Sequence, residues 1–198
     1  MTGNNVDPRE DPTDSAALDE AASYLEGLIN LERLPTHSAS RLSLRPIQAL
    51  MERLGNPQQG LSILHVAGSK GKGSTCLFAE AILRSAGKKV GTFTSPHLER
   101  WTERFRIDGA EVAPRKLAAA IEKIRPHVEI LRQAPLTRPS FFDATTAAAF
   151  LLFSESQVDY AVIEVGLGGR LDSTNVLVPR VTCVTSIELE HTDKLGET

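Results

Sequence analysis

Apolar residues at Leu18, Ala22, Leu25 and Ile29 recur every three or four positions. That spacing predicts a helix from Ala16 to Leu34, stopped by Pro35. Thr36 to Arg41 is short and polar and reads as a loop. Leu44, Ile47, Leu50, Met51 and Leu54 repeat the helical period, and Gly55-Asn56-Pro57 closes the run. The period then changes. Ser62 to Val66 is a short apolar run of the kind a buried parallel strand carries. Ser74 to Ala86 returns to helical spacing and ends on Gly87. Lys89 to Thr94 reads as a second strand, and Arg104 to Ile107 as a short one before the Asp108-Gly109 turn. Pro114 to Leu131 is helical, with a kink or break expected at Pro126. An alanine-rich helix follows over Phe141 to Ser154, then strands over Tyr160 to Val165 and Val181 to Ile187. Strands alternating with helices predict an α/β domain, a mostly parallel sheet with helices on both faces.

The composition changes this picture little. The 198 residues are 41% hydrophobic and 24% charged, enough for one globular domain. The net charge of −3 gives no basis for binding nucleic acid or an acidic membrane. No stretch approaches the roughly 20 apolar residues of a membrane helix. Residues 1–15 are acidic, contain prolines and lack the apolar segment of a secretory signal, so they read as a disordered, solvated tail. Cys76 and Cys183 sit in apolar contexts and read as reduced, buried thiols. The expectation is a cytoplasmic protein.

The chemistry concentrates in His65-Val66-Ala67-Gly68-Ser69-Lys70-Gly71-Lys72-Gly73-Ser74-Thr75. A strand feeds a glycine-rich loop that opens a helix. Backbone N–H groups there, with the helix N-terminus, suit phosphate oxygens. Lys72 adds a charge for the β- and γ-phosphates, and a hydroxyl at the helix start can reach Mg²⁺. The match to the general P-loop is imperfect: Val66 stands where the first glycine belongs, and Gly73 follows the lysine where Ser or Thr is usual. Taken alone, the residues also fit a glycine-rich turn with incidental lysines.

Glu164 ends an apolar strand, and Ser95 follows one. Both positions open onto the crevice at the carboxyl ends of a parallel sheet, where ligands bind. Magnesium prefers such oxygen donors and keeps several waters. Gly166, Gly168 and Gly169 permit close backbone approach to a ligand. By residue type, Glu164 also fits a surface acid at a strand end, and Arg170 with Asp172 a loop ion pair.

The departures at the loop resemble one family. Gly68 to Thr75 is similar to the variant P-loop of the folylpolyglutamate synthase/dihydrofolate synthase family, Mur ligase relatives in which glycine follows the lysine. Four more segments agree in order: Leu54-Gly55-Asn56-Pro57, Thr94-Ser95-Pro96-His97-Leu98, Phe142-Asp143 with Thr146 to Phe150, and Glu164 to Asn175. The resemblance runs from about Ser23 to the last residue. It implies a Mur-ligase-type central domain over residues 16–198, binding ATP and Mg²⁺, incomplete at its C-terminal end and without the C-terminal ligase domain. It implies addition of L-glutamate to dihydropteroate or folates through an acyl phosphate, by a protein that is a monomer at full length. Gly68, Ser69, Lys70, Gly71, Lys72, Gly73, Ser74 and Thr75 would bind ATP. Ser95, Glu164 and His191 would hold the metal, with Lys72, Glu164 and His191 catalytic. His97, Arg100, Asp143, Arg170 and Asp172 would meet the substrates. A Mur-type ligase acting on a UDP-sugar and a non-catalytic nucleotide-binding module are the competing readings. Asp143 and Glu190 depart from the family's usual Glu and Asp. Ser69-Lys70 replaces the more frequent Thr-Asn and brings a second cation toward the phosphates.

Overall fold

The structure, a computed structural model, describes residues 12–30 and 42–196. Six strands form one sheet in the order β4-β3-β2-β5-β1-β6. Strands β1 (Ile63–Ala67), β2 (Val90–Phe93), β5 (Tyr160–Glu164) and β6 (Val181–Val184) are parallel. Strands β3 (Phe105–Ile107) and β4 (Ala110–Glu111) add an antiparallel edge beside β2.

The pleat sorts side chains onto two faces. Ile63, Phe93, Ala161 and Ile163 point to one core, covered by α1 (Pro12–Glu26), α2 (Arg45–Arg53), α4 (Pro114–Arg132) and α5 (Phe141–Glu155). Val66, Val90 and Val162 face the other, where Cys76 of α3 (Lys72–Ser85) meets them. Helix α5 is buried nearly all round and lies at the centre of its layer. Gly91 makes its approach possible: a Cβ there would stand 2.6 Å from the Phe153 ring.

Four expectations need correction. The first helix starts at Pro12, inside the stretch read as tail, and ends at Glu26, well before Pro35. Its buried stripe, Leu18, Ala21, Ala22 and Leu25, continues to Leu28, but the helix gives way to a turn at Gly27. The polar 36–41 loop and residues 1–11 lie outside the described residues. Helix α4 continues through Pro126. The buried stripe Leu117, Ile121, Ile124, Val128 and Leu131 spans both sides of the proline and offsets the one hydrogen bond it removes. The two thiols differ, with Cys76 buried and Cys183 half-buried. Finally, the helical cover stops short of β6, where Val181 and Val184 are each 58% exposed. Among the described residues no helix is long and apolar enough to cross a membrane.

Candidate functional site

Strands β1, β2 and β5 end side by side, and their carboxyl ends carry the glycine-rich loop, Ser95 and Glu164. Gly68 leaves β1 with φ 130°, and Gly71, at φ 81°, is the N-cap of α3. Both angles lie where L side chains are strained, which explains glycine at these two positions. The Lys72 ammonium turns back over the loop and donates to the Ser69 carbonyl at 3.2 Å. The loop is tied to the chain beyond β6. Ser69 N–H donates to Ser186 O at 2.7 Å, and Glu188 N–H donates to Ser69 Oγ at 2.9 Å. Lys70 pairs with Glu188 at 2.6 Å, both exposed, so its charge is partly neutralised. Thr75 Oγ1 donates to Gly71 O within the helix, whereas Ser74 is exposed at the helix start.

Glu164 is buried beside this loop and accepts the Ser95 N–H at 3.0 Å. Burial pushes its carboxyl above the usual range, while the Ser95 and Gly73 N–H groups and the Lys72 charge pull it down. Gly73 lies against it: a Cβ there would sit 3.5 Å from Glu164 Oε2. The missing side chain leaves the Glu164 carboxylate facing the first turn of α3. A buried anion beside a serine and a phosphate-type loop suits a hard divalent cation. Among the described residues no group of three or more His, Cys, Asp or Glu side chains converges on a metal position. Magnesium needs only one or two protein oxygens and retains water.

Next to this centre opens a cavity of about 980 Å³, whose wall includes Ser95, His97, Trp101, Arg104, Phe141, Phe142, Asp143, Asp172 and His191. Arg104 and Trp101 were not legible as site residues in the sequence. Arg104 is 2% exposed, stacks on the Trp101 and Phe141 rings, and donates from Nε to His97 Nδ1 at 2.8 Å. The neutral His97 ring therefore carries its proton on Nε2.

Two buried carboxylates fix the loop after β5. Asp143 caps α5 through Ser140, and its Oδ1 accepts Ser173 Oγ–H at 2.7 Å. Asp172 accepts from Leu167 N–H at 2.8 Å and from the Thr174 N–H and hydroxyl at 2.9 and 2.5 Å. Burial raises both carboxyls above their usual range, and these hydrogen bonds oppose it. Gly166 admits the arrangement, since a Cβ would stand 2.5 Å from Phe142 Cζ and 3.1 Å from Asp172 Oδ2.

Two expected substrate residues do not reach the cavity wall. Arg100 pairs with Glu111 of β4 at 2.7 Å and is exposed. Arg170 is exposed, and its carbonyl accepts from Asn175 Nδ2. The Arg170–Asp172 ion pair open on sequence is not formed, because Asp172 is satisfied by Thr174 and the backbone. His191, at φ 49°, lines the cavity at the start of α6 (Thr192–Leu195).

Burial lowers the His65 imidazole from 6.5 to about 4. Between those values the unfolded chain takes up a proton that the folded chain refuses. Stability contributed by neutral His65 is therefore full above about pH 6.5 and is lost as pH falls towards 4, by up to about 1.4 kcal/mol per pH unit. The raised carboxyls of Asp143, Glu164 and Asp172 act in the opposite sense, so the comparison is with a variant. Urea unfolding at pH 7 and 4.5 should show His65→Gln losing about 2–3 kcal/mol less on acidification than the parent. Identical losses would exclude a buried neutral imidazole.

No family model matches the chain. Individual proteins do. The dihydrofolate synthase/folylpolyglutamate synthase of Bacillus subtilis is 40% identical over 183 residues, covering 92% of this chain and 41% of the relative. The folylpolyglutamate synthase of Mycobacterium tuberculosis, solved with ADP and AMPPCP, superposes with a TM-score of 0.81 at 35% identity, over 93% of this chain and 39% of that one. A folylpolyglutamate synthase solved with AMPPCP and folate gives 0.80 at 37% identity, over 91% and 43%. The chain thus spans less than half the length of these relatives. Matched over nine-tenths of its residues at 35–40% identity, the chain belongs to the folylpolyglutamate synthase/dihydrofolate synthase family of Mur ligase relatives.

Proposed function

We propose that residues 16–198 are the ATP-binding part of a ligase that adds L-glutamate to dihydropteroate or a folate. The observation that carries this reading is the juxtaposition of the Lys72 loop, buried Glu164 and the cavity at one edge of the sheet. The loop N–H groups and Lys72 bind the β- and γ-phosphates and neutralise charge as the terminal phosphoryl group leaves ADP. Glu164 and Ser95, with His191 as the third candidate, would hold Mg²⁺, which supplies further charge neutralisation on the phosphates. The cavity holds the acid so that its carboxylate oxygen attacks the γ-phosphorus. The resulting acyl phosphate is opened by the amino group of glutamate, with release of inorganic phosphate. Ser69, Gly68, Gly71, Gly73, Ser74 and Thr75 shape the phosphate loop. His97, Asp143 and Asp172 face the acid, whereas Arg100 and Arg170 do not line the cavity. The partners on this reading are small molecules, the compartment is the cytoplasm, in keeping with two free thiols, and the full-length protein is a monomer.

The test is calorimetric titration of the chain with AMPPCP, with and without Mg²⁺, followed by dihydropteroate and folate. Binding of the nucleotide and of at least one acid is expected. Glu164→Gln removes charge at nearly constant shape. It should weaken Mg²⁺-dependent nucleotide binding about 10-fold or more, consistent with loss of a charge-assisted contact, and leave the melting temperature almost unchanged. A large stability loss with unchanged Mg²⁺ dependence would show Glu164 to be a packing acid and remove the metal reading.

A further inference from the structure

We infer that His65 is a positioning residue: acting through the Thr174 hydroxyl, it fixes the Asp172 carboxylate, and with it the Leu167 backbone, at the wall of the cavity. The inference deepens the proposed acid-binding role of that cavity and rests on it.

The proton count sets the direction of the chain. Asp172 Oδ1 accepts both the Thr174 N–H, at 2.9 Å, and the Thr174 hydroxyl, at 2.5 Å. A hydroxyl has one proton, and this one is committed to the carboxylate. Thr174 Oγ1 can then only accept from His65 Nε2, 2.8 Å away. His65 must carry its proton on Nε2. On the other side, Asp172 Oδ2 takes the Leu167 N–H at 2.8 Å. The chain His65 Nε2–H, Thr174 O–H, Asp172, Leu167 N–H has a donor and an acceptor matched at every link, and Thr174 is fully buried.

The two ends differ in rigidity. His65 sits in β1, which is hydrogen-bonded to β5 on one side and β6 on the other, and is 6% exposed. Asp172 sits on irregular backbone between β5 and β6, where the neighbouring glycines impose little shape. A carboxylate on a loop is held in one orientation only if its partners are themselves fixed. Strand β1, flanked on both sides, supplies that fixed point, three residues before Gly68 opens the loop. Burial of the imidazole, which keeps it neutral, is consistent with a single donor role.

The first measurement needs no mutation. ¹⁵N NMR of the labelled 198-residue chain at pH 7 should show His65 as the Nε2–H tautomer, and an Nδ1–H ring would overturn the inference. The second compares Thr174→Val, which replaces the hydroxyl by a methyl, with Thr174→Ser, which keeps it. Thr174→Val should speed amide exchange at Leu167 at least 10-fold and weaken folate binding at least 10-fold, with Mg-AMPPCP affinity within threefold of the parent. Thr174→Ser should stay within threefold on all three. Equal losses in both variants, or folate and nucleotide affinity falling together, would mean a general structural role and sink the proposal. Should the parent show the Nε2–H tautomer and the Leu167 response but bind neither folate nor dihydropteroate, the positioning chain stands and the acid-pocket reading fails.

Discussion

Lys72→Ala should reduce Mg-AMPPCP affinity by about 10- to 100-fold while shifting the melting temperature by no more than about 4 °C. The ammonium group has one hydrogen bond in the structure, to the Ser69 carbonyl at 3.2 Å, and the residue is half-buried at the first position of α3. One such bond contributes about 1 kcal/mol to folding, which in a domain of this size moves the melting point by roughly 2–4 °C. The same group against phosphate oxygens makes charge-assisted bonds of about 1.5–3 kcal/mol each, equivalent to roughly one to two decades of affinity. Its removal also leaves buried Glu164 without its nearby cation. Lys72→Arg preserves charge but brings a wider, planar group into a loop closed at Gly71 and Gly73, and should recover only part of the loss. Calorimetric titration gives the affinities and differential scanning fluorimetry the melting points. Equal affinities for parent and Lys72→Ala would remove the loop from the nucleotide site, and Glu164 would lose its assigned neighbour with it.

Gly68→Ala should cost about 3–5 kcal/mol of folding stability, the largest effect expected of any single methyl group in this chain. Two penalties add. At φ 130° an L residue is strained, at about 1–3 kcal/mol. The new Cβ would also stand 1.9 Å from Thr185 Oγ1 and 3.0 Å from Thr185 N, and overpacking of this kind costs about 1–3 kcal/mol. Relief requires β6 to move from β1, which stretches the Thr185 N–H to Ala67 O bond of 2.9 Å. A fall in melting temperature of about 8–15 °C follows. Gly71→Ala is the control. Its φ is 81°, but no atom lies within 4 Å of the new Cβ, so only the strain remains, about 1–2 kcal/mol. A double variant with Thr185→Ala removes the 1.9 Å contact and should return part of the loss. Equal effects at Gly68 and Gly71 would show that the β1–β6 contact does not constrain the loop.

The hydrophobic period located the parallel strands and the helix over Leu44 to Leu54, and the glycines located the loop between a strand and a helix. These are local properties: side-chain period reports which face is buried, and glycines report backbone that bends sharply. The period missed the end of α1 because the apolar spacing runs on to buried Leu28 while the backbone turns at Gly27, and a kink or break was expected at Pro126, where a packed stripe outweighs one lost hydrogen bond. It also missed β4, whose two residues, Ala110 and Glu111, are too few to show a period.

For the site, the sequence singled out the residues we propose for phosphate and metal chemistry: Lys72 in its glycine frame and Glu164 at the end of an apolar strand. The tertiary structure decided what each of the other polar residues does. Lys70 and Arg100 read as site cations, but Glu188 and Glu111, remote from them in the chain or on another element, take them up. Asp172 read as an ion-pair partner of Arg170, but it is bound by Thr174 and the backbone. Arg104 and His65 had no motif to announce a role, and they acquire one from Trp101, Phe141 and Thr174 across the fold. The reason is physical. Backbone curvature and burial period are written within a few residues, whereas the partner of a charge is whatever the packing of distant elements brings within 3 Å.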